Sequence, residues 1–330
     1  MPETVVLVDP AHRAHDGSLG IHYPEIPARV DCIVEAVREA GFAVEEAHSD
    51  PGERVWGLHS KKMFDYIRQV CEAIPEGRAT YPEVYPGRMA RDPSGHPRSE
   101  SFCFDLSTPL ATKTPLAAMA SAGLALEAAR RILSGTRSVY AICRPPGHHA
   151  GTDFFGGFCY LNNAALAADE LSRSGKVAIL DIDYHHGNGT QQVFYARGDV
   201  LYVSIHADPS YAYPAFSGFQ DELGSGEGLG ANFNIPLPDG VGDGEFLQAL
   251  PAALNRIERF LPRHLVVSLG LDGAEGDPVG SWALSREAYE RAGATVAQLN
   301  LPTLIVQEGG YSLDRLGDDV VAYLSGHGWA

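Results

Sequence analysis

Apolar positions along this chain follow two periods. Val5 to Val8, Phe42 to Val44, Val139 to Cys143, Val177 to Ile182, Val200 to Ile205, Leu265 to Leu269 and Thr303 to Val306 form short runs. Such runs are too short for helices and suit strands buried on both faces of a parallel sheet. Between them, apolar residues recur three and four apart. Val30, Ile33, Val34 and Val37 follow Pro27 and stop at Gly41. The same spacing predicts helices over Leu58 to Ile74, Thr114 to Leu133, Leu161 to Leu171, Gln191 to Tyr195, Glu245 to Phe260, Arg286 to Leu299 and Leu313 to Leu324. Ala11 to Pro24 reads as a surface loop. Periodicity fails from Pro75 to Pro109, which holds six prolines. A long irregular stretch in a compact protein points to a functional loop or a subunit contact. Strands alternating with helices predict an α/β fold, an open parallel sheet flanked by helices in one domain over 1–330.

Four of the strands run into polar, glycine-containing clusters. Val139–Cys143 leads into RPPGHH, Val177–Ile182 into DYHHGNG, Leu265–Leu269 into GLDGAEGDP, and Thr303–Val306 into QEGGY. In open α/β sheets the carboxyl ends of strands face one crevice, where ligands bind. An ordinary turn needs Gly, Asn or Asp. It needs neither tandem histidines nor paired aspartates.

Composition narrows the partners. The 330 residues carry 25 Lys and Arg against 42 Asp and Glu, a net charge of −17. So acidic a surface argues against nucleic acid. No run is long enough to span a membrane. The start, MPETVVLVDP, reads as a first strand rather than a signal peptide. Cys32, Cys71, Cys103, Cys143 and Cys159 are odd in number and never spaced C-x-x-C. They read as reduced, mostly buried thiols of a cytoplasmic protein.

The chemistry centres on VAILDIDYHHGNGT, residues 177–190. On an extended strand, Asp181, Asp183 and His185 share one face. Carboxylate and imidazole without thiolate suit zinc at an open, catalytic site. Asp183, His185 and Asp272 are the expected ligands, leaving room for water and a carbonyl. His148 and His149 follow a rigid Pro145-Pro146-Gly147 turn, and adjacent imidazoles need partners if buried. Asp181 can orient one and Asn188 the other. Because a carboxylate raises imidazole basicity more than an amide does, the two histidines should differ. One would hold positive charge while the other moves a proton from the attacking water to a leaving amine. Tyr311, after Gly309-Gly310, is placed to donate to a carbonyl oxygen as charge develops there.

These residues resemble the arginase–deacetylase superfamily. RPPGHHAG, GGFCYLNNAA, DIDYHHGNGTQ, SLGLD followed by GDP, and EGGY occur in that family's order, and HYPEIPARV is similar to its class II opening. Within the superfamily the chain looks like the zinc-dependent histone deacetylases and the bacterial acetylpolyamine amidohydrolases.

The resemblance implies an eight-stranded parallel sheet and Zn²⁺ at Asp183, His185 and Asp272. It implies His149 as general base and acid, His148 as its electrostatic partner, and Tyr311 as carbonyl polariser. It also implies structural K⁺ at Asp181, Asp183, His185, Ser204 and Ile205, with a second K⁺ at Phe194, Arg197 and Val200. Gly157, Phe158 and Tyr213 would wall a narrow tunnel. Val279 stands, apolar, where polyamine-selective eukaryotic relatives place a gatekeeper glutamate. Asn188 follows the class II and bacterial pattern.

The 75–109 loop would form a homodimer contact and an active-site rim. It holds Glu83, Asp92, Glu100 and Asp105 beside Arg88, Arg91 and Arg98, with Ser107 and His96 also candidates for the rim. The expected activity is removal of an acetyl group from a small N-acetylated amine such as an acetylpolyamine. The alternatives are a protein lysine deacetylase, a specialised biosynthetic or xenobiotic amidase, and a non-catalytic binding protein that kept the fold.

Overall fold

The computed structural model describes residues 4–19, 23–82, 84 and 102–329. Strands β1 (Thr4–Val8) and β2 (Val44–Glu46) flank helix α1 (Ala28–Glu39), and α2 (Lys61–Ala73) follows. A small antiparallel pair, β3 (Ala79–Thr80) and β4 (Leu110–Ala111), stands apart from the main sheet. Then come α3 (Thr114–Leu133), β5 (Ser138–Ala141), α4 (Asn163–Ser172), β6 (Val177–Asp181), α5 (Asn188–Phe194), β7 (Val200–Ala207) and β8 (Asn232–Leu237). The chain ends with α6 (Asp243–Phe260), β9 (His264–Leu269), α7 (Arg286–Ala297), β10 (Thr303–Gln307) and α8 (Leu313–Gly326).

The main sheet has eight strands in the order β2-β1-β5-β10-β9-β6-β7-β8, and every pairing is parallel. Alternation along each strand feeds two cores. Val6, Val8, Ala178 and Leu180 pack with α1, α6, α7 and α8. Val5, Leu7, Val177 and Ile179 pack with α3 and α4 on the other face. Strands β5, β10, β9 and β6 are consecutive neighbours in the sheet. They are the four whose ends carry the polar clusters, so the sheet order itself gathers those clusters on one rim.

Local chemistry shifts several boundaries. The helix expected from Leu58 to Ile74 starts later: α2 begins after Ser60, whose side chain accepts from Met63 N, and a separate 3-10 turn at Gly52–Gly57 precedes it. The second strand lies at Val44–Glu46 rather than Phe42 to Val44, because Gly41 turns at φ +87° and Phe42 packs against Trp329. Asn162 caps α4, its side chain accepting from Ala165 N at 2.9 Å. Strand β8 was not expected. Asn232, Asn234 and Pro236 interrupt its apolar pattern, and proline is tolerated there because β8 is an edge.

Strand β6 ends at Asp181, so the shared face expected for Asp181, Asp183 and His185 does not extend through all three. Of the rim candidates, Glu83, Arg88, Arg91, Asp92, His96, Arg98 and Glu100 lie outside the described residues. No helix among the described residues is long and apolar enough to cross a membrane. All five cysteines are free; Cys32 is half-buried and the others are buried.

Candidate active site

Asp183 and His185 leave β6 in the loop before α5, and Asp272 leaves β9. Their ligand atoms lie within 4.8 Å of one another. His185 Nδ1 is 2.8 Å from Asp272 Oδ2 and 3.5 Å from Asp183 Oδ1. Backbone amides aim the carboxylates. Tyr184 N donates to Asp272 Oδ1 at 3.0 Å, Gly309 N to Asp183 Oδ2 at 2.8 Å, and His185 N to Asp183 Oδ1 at 2.9 Å.

Both carboxylates are fully buried, and neither forms an ion pair with a lysine or arginine among the described residues. Burial and the facing Asp183 raise Asp272. Burial would raise Asp183 too, but His148 and His185 hold it well below the usual carboxylate range. Two carboxylates and an imidazole converging with no lysine or arginine paired to them fit a divalent ion, and this oxygen and nitrogen set suits zinc.

A second close trio is His148, Cys159 and Glu308. Its donors are committed elsewhere. Glu308 Oε2 accepts from Gly147 N at 2.7 Å and His148 N at 3.1 Å. Burial pushes the Cys159 thiol far up, away from the thiolate a metal needs.

The tandem histidines follow β5, their rings 4.0 Å apart. His148 Nδ1 is 3.2 Å from Asp181 Oδ2, and His149 Nδ1 is 2.7 Å from Asn188 Oδ1. Asp181 is not part of the Asp183–His185–Asp272 cluster; its Oδ2 also accepts from Tyr202 at 2.9 Å, and its Oδ1 accepts from Asp183 N at 3.2 Å. Burial by itself lowers the His148 imidazole, but Asp183 and Asp181 outweigh it and raise the group to about 10. Burial, then His148 and His185, hold His149 well below its ordinary value. One ring is thus set up as a cation and its neighbour as a neutral base.

Tyr311 follows β10. Its backbone N–H donates to Asp277 Oδ2 at 2.7 Å. The Arg29 guanidinium lies 4.6 Å from its ring centroid. Arg29 also donates to Gly310 O and Glu308 O, each at 2.6 Å. Glu25, buried between Arg29 and Arg144, accepts from both at 2.9 and 2.7 Å. The β10 turn therefore rests on a buried charge network.

A cavity of about 160 Å³ is lined by His148, His149, Asp183, His185, Asp272, Tyr311, Gly157, Phe158, Tyr213, Val279 and Ser107, among others. Gly157 is required in this wall: a Cβ there would stand 2.2 Å from His149 Cδ2, and φ is +56°. Tyr213 lies T-shaped to His149 at 4.9 Å. Asp105 braces the wall, its Oδ2 accepting from Gly157 N at 2.6 Å and Tyr213 Oη at 2.9 Å. A larger groove of about 1040 Å³ runs along α2 past Lys62, Asp65 and Gln69, but no metal-ligating trio among the described residues lies on it.

Among the residues tied to potassium by resemblance, Ser204 Oγ lies 2.7 Å from His206 Nδ1, and Ile205 is buried in β7. Arg197 pairs with Asp169 and Asp199 and lies 5.2 Å from the Phe194 ring, with Val200 starting β7. Sequence reasoning gave no role to Glu25, Arg29, Arg144, Asp277 or Glu308, nor to Asp105 as a wall brace. PEIPAR and EGGY contain three of them, yet only the folded chain shows what they touch.

Fold and rim together define an α/β protein with a metal-fitting cluster at neighbouring strand ends. The chain belongs to the histone deacetylase family: the Histone deacetylase domain matches residues 23–326. It is 40% identical to acetylpolyamine amidohydrolase 2 of Pseudomonas aeruginosa, covering 96% of each chain. The crystal structure of acetylpolyamine aminohydrolase from Burkholderia pseudomallei superposes with a TM-score of 0.89 at 38% identity, over 98% of each chain. Histone deacetylase clr3 of Schizosaccharomyces pombe is 30% identical over 91% of this chain, which spans 44% of that longer protein.

Proposed function

We propose that this protein is a zinc-dependent amidohydrolase that removes the acetyl group from small N-acetylated amines of the acetylpolyamine type. One observation carries the reading. Asp183, His185 and Asp272 share a single cavity with the adjacent His148 and His149 rings and the Tyr311 phenol. Asp183, His185 and Asp272 hold Zn²⁺, which when bound polarises the amide carbonyl and lowers the pKa of a water. His149 takes the proton from the attacking water and passes it to the departing amine. His148, held cationic beside Asp181, stabilises the negative charge that builds up next to it. Tyr311 donates its hydroxyl proton as a hydrogen bond to the carbonyl oxygen. Gly157, Phe158 and Tyr213 hold the aliphatic chain and exclude water.

The small-amine assignment is supported by near-full-length identity to proteins named acetylpolyamine amidohydrolases. The same reading includes structural K⁺ at the Asp181, Ser204 and Phe194 regions, a cytoplasmic location in keeping with unpaired cysteines, and a homodimer joined through residues 75–109. Protein deacetylation is the second reading. What favours it is that Ser107 and Val279 are among the lining residues, with the nearby Asp105 carboxylate already engaged by Gly157, Tyr213 and Ser107. Zinc-loaded enzyme assayed against acetylputrescine, acetylcadaverine, acetylspermidine and acetyllysine peptides decides between them. Small amines are expected to show the higher kcat/KM. A preference for peptides of roughly tenfold or more overturns the assignment.

A further inference from the structure

Asp277 belongs neither to the metal-fitting trio nor to the cavity lining, yet the residue is only 6% exposed. It forms no ion pair among the described residues. Its partners are three backbone N–H groups. Oδ2 accepts from Tyr311 N at 2.7 Å and Ser312 N at 3.1 Å, while Oδ1 accepts from Val279 N at 3.0 Å. A buried carboxylate is costly, and one that faces only backbone donors is held there by the geometry it imposes.

The position matters for two reasons. Gly310 sits at φ +112°, so the turn that carries Tyr311 has little stiffness of its own. Ser312, the N-cap of α8, makes no side-chain cap of its own, so the entry to the helix is not fixed by a local side chain. Asp277 supplies an acceptor for the two amides before the helix, and its other oxygen fixes the cavity-wall residue Val279.

Resting on the function proposed above, we propose that Asp277 is a positioning residue for Tyr311. It locks the phenol's backbone to the loop that carries Asp272 and Val279, setting where the hydroxyl meets the carbonyl oxygen. The role needs an acceptor on both oxygens. An amide offers only one, so Asp277→Asn must turn its NH₂ toward either Val279 N or the Tyr311 and Ser312 amides.

The test is a double-mutant cycle on zinc-loaded enzyme with Asp277→Asn, Tyr311→Phe and the pair. Asp277→Asn is expected to lower kcat by about tenfold or more, as a small misplacement of a catalytic group does, with KM nearly unchanged and zinc content full. Added to Tyr311→Phe it should cost less than about twofold, because the group it positions is already gone. Hydrogen exchange should quicken at Val279 or at Tyr311 and Ser312, whichever amides the NH₂ faces in Asp277→Asn, a readout independent of turnover. An equal loss in both backgrounds, unchanged kcat, or unchanged exchange overturns the assignment to Asp277. A Tyr311→Phe enzyme that works like the wild type overturns the phenol's role itself. The cycle therefore separates failure of this inference from failure of the reading beneath it.

Discussion

His149 presents Nδ1 to the side-chain oxygen of Asn188 at 2.7 Å, which places the ring proton on Nδ1 and leaves Nε2 as the basic nitrogen. The Asn188 amide nitrogen is buried and has no hydrogen-bond partner among the described residues. Replacing that NH₂ by oxygen therefore breaks no existing hydrogen bond. Asn188→Asp should raise the proton affinity of His149, since a carboxylate stabilises imidazolium better than an amide. A base must be neutral to act, so a higher pKa moves the acidic limb of the kcat/KM profile to higher pH, by about one unit or more. A limb that stays in place would show that Asn188 does not tune this ring.

Glu308 is a buried acid with a different consequence. Burial lifts it from 4.5 to about 7, with Asp181 and Asp183 adding to the rise and His148 and the Gly147 N–H opposing it. Between those values the folded protein holds a proton that the unfolded chain has released. The stabilisation is complete below about 4.5 and is lost as pH rises through about 7. In metal-free protein, Glu308→Gln should flatten this fall, a difference of roughly 3 kcal/mol across the window. Urea unfolding of both proteins at pH values across that interval measures it. Parallel curves would mean that Glu308 titrates normally.

Asp105 ties the stretch before β4 to the cavity wall through Gly157 N, Tyr213 Oη and Ser107 Oγ, the last at 2.9 Å. These bonds hold the wall alike in the ground and transition states. Asp105→Ala should therefore raise KM for small acetylated amines by about tenfold, with kcat falling less and zinc retained. An unchanged KM would detach Asp105 from substrate binding.

Much of this arrangement is legible before folding, and the legible part has a common cause. Parallel strands are short apolar runs, and their carboxyl ends announce themselves by an abrupt change to His, Asp and Gly. That is why Asp183, His185, Asp272, His148, His149 and Tyr311 could be nominated together. The illegible part depends on long-range contact. Arg29 reaches Glu308 O and Gly310 O from the far end of the chain, and no spacing rule connects them. Asp277 reads as a turn residue until Tyr311 N is seen upon it. Strand β8 hides because an edge tolerates Asn232, Asn234 and Pro236 where a central strand would not. The turn of Asp181 toward His148 is hidden as well, because alternation predicts a face only while the strand lasts.

Gly309 separates the metal-fitting geometry from the identity of the ligands. A Cβ at this position would stand 2.6 Å from Asp272 Oδ2 and 2.7 Å from Asp183 Oδ2, closer than such contacts allow. The residue's own N–H meanwhile donates to Asp183 Oδ2. One added methyl group must therefore push the two carboxylates off a shared centre while leaving Asp183, His185 and Asp272 in the sequence. Gly309→Ala should weaken zinc binding by roughly 10- to 100-fold, the range seen when groups that orient metal ligands are disturbed. Competition against a chromophoric chelator measures this directly, with circular dichroism as the check on folding. A folded Gly309→Ala protein that binds zinc as tightly as the wild type would mean that the ion does not sit between Asp183 and Asp272.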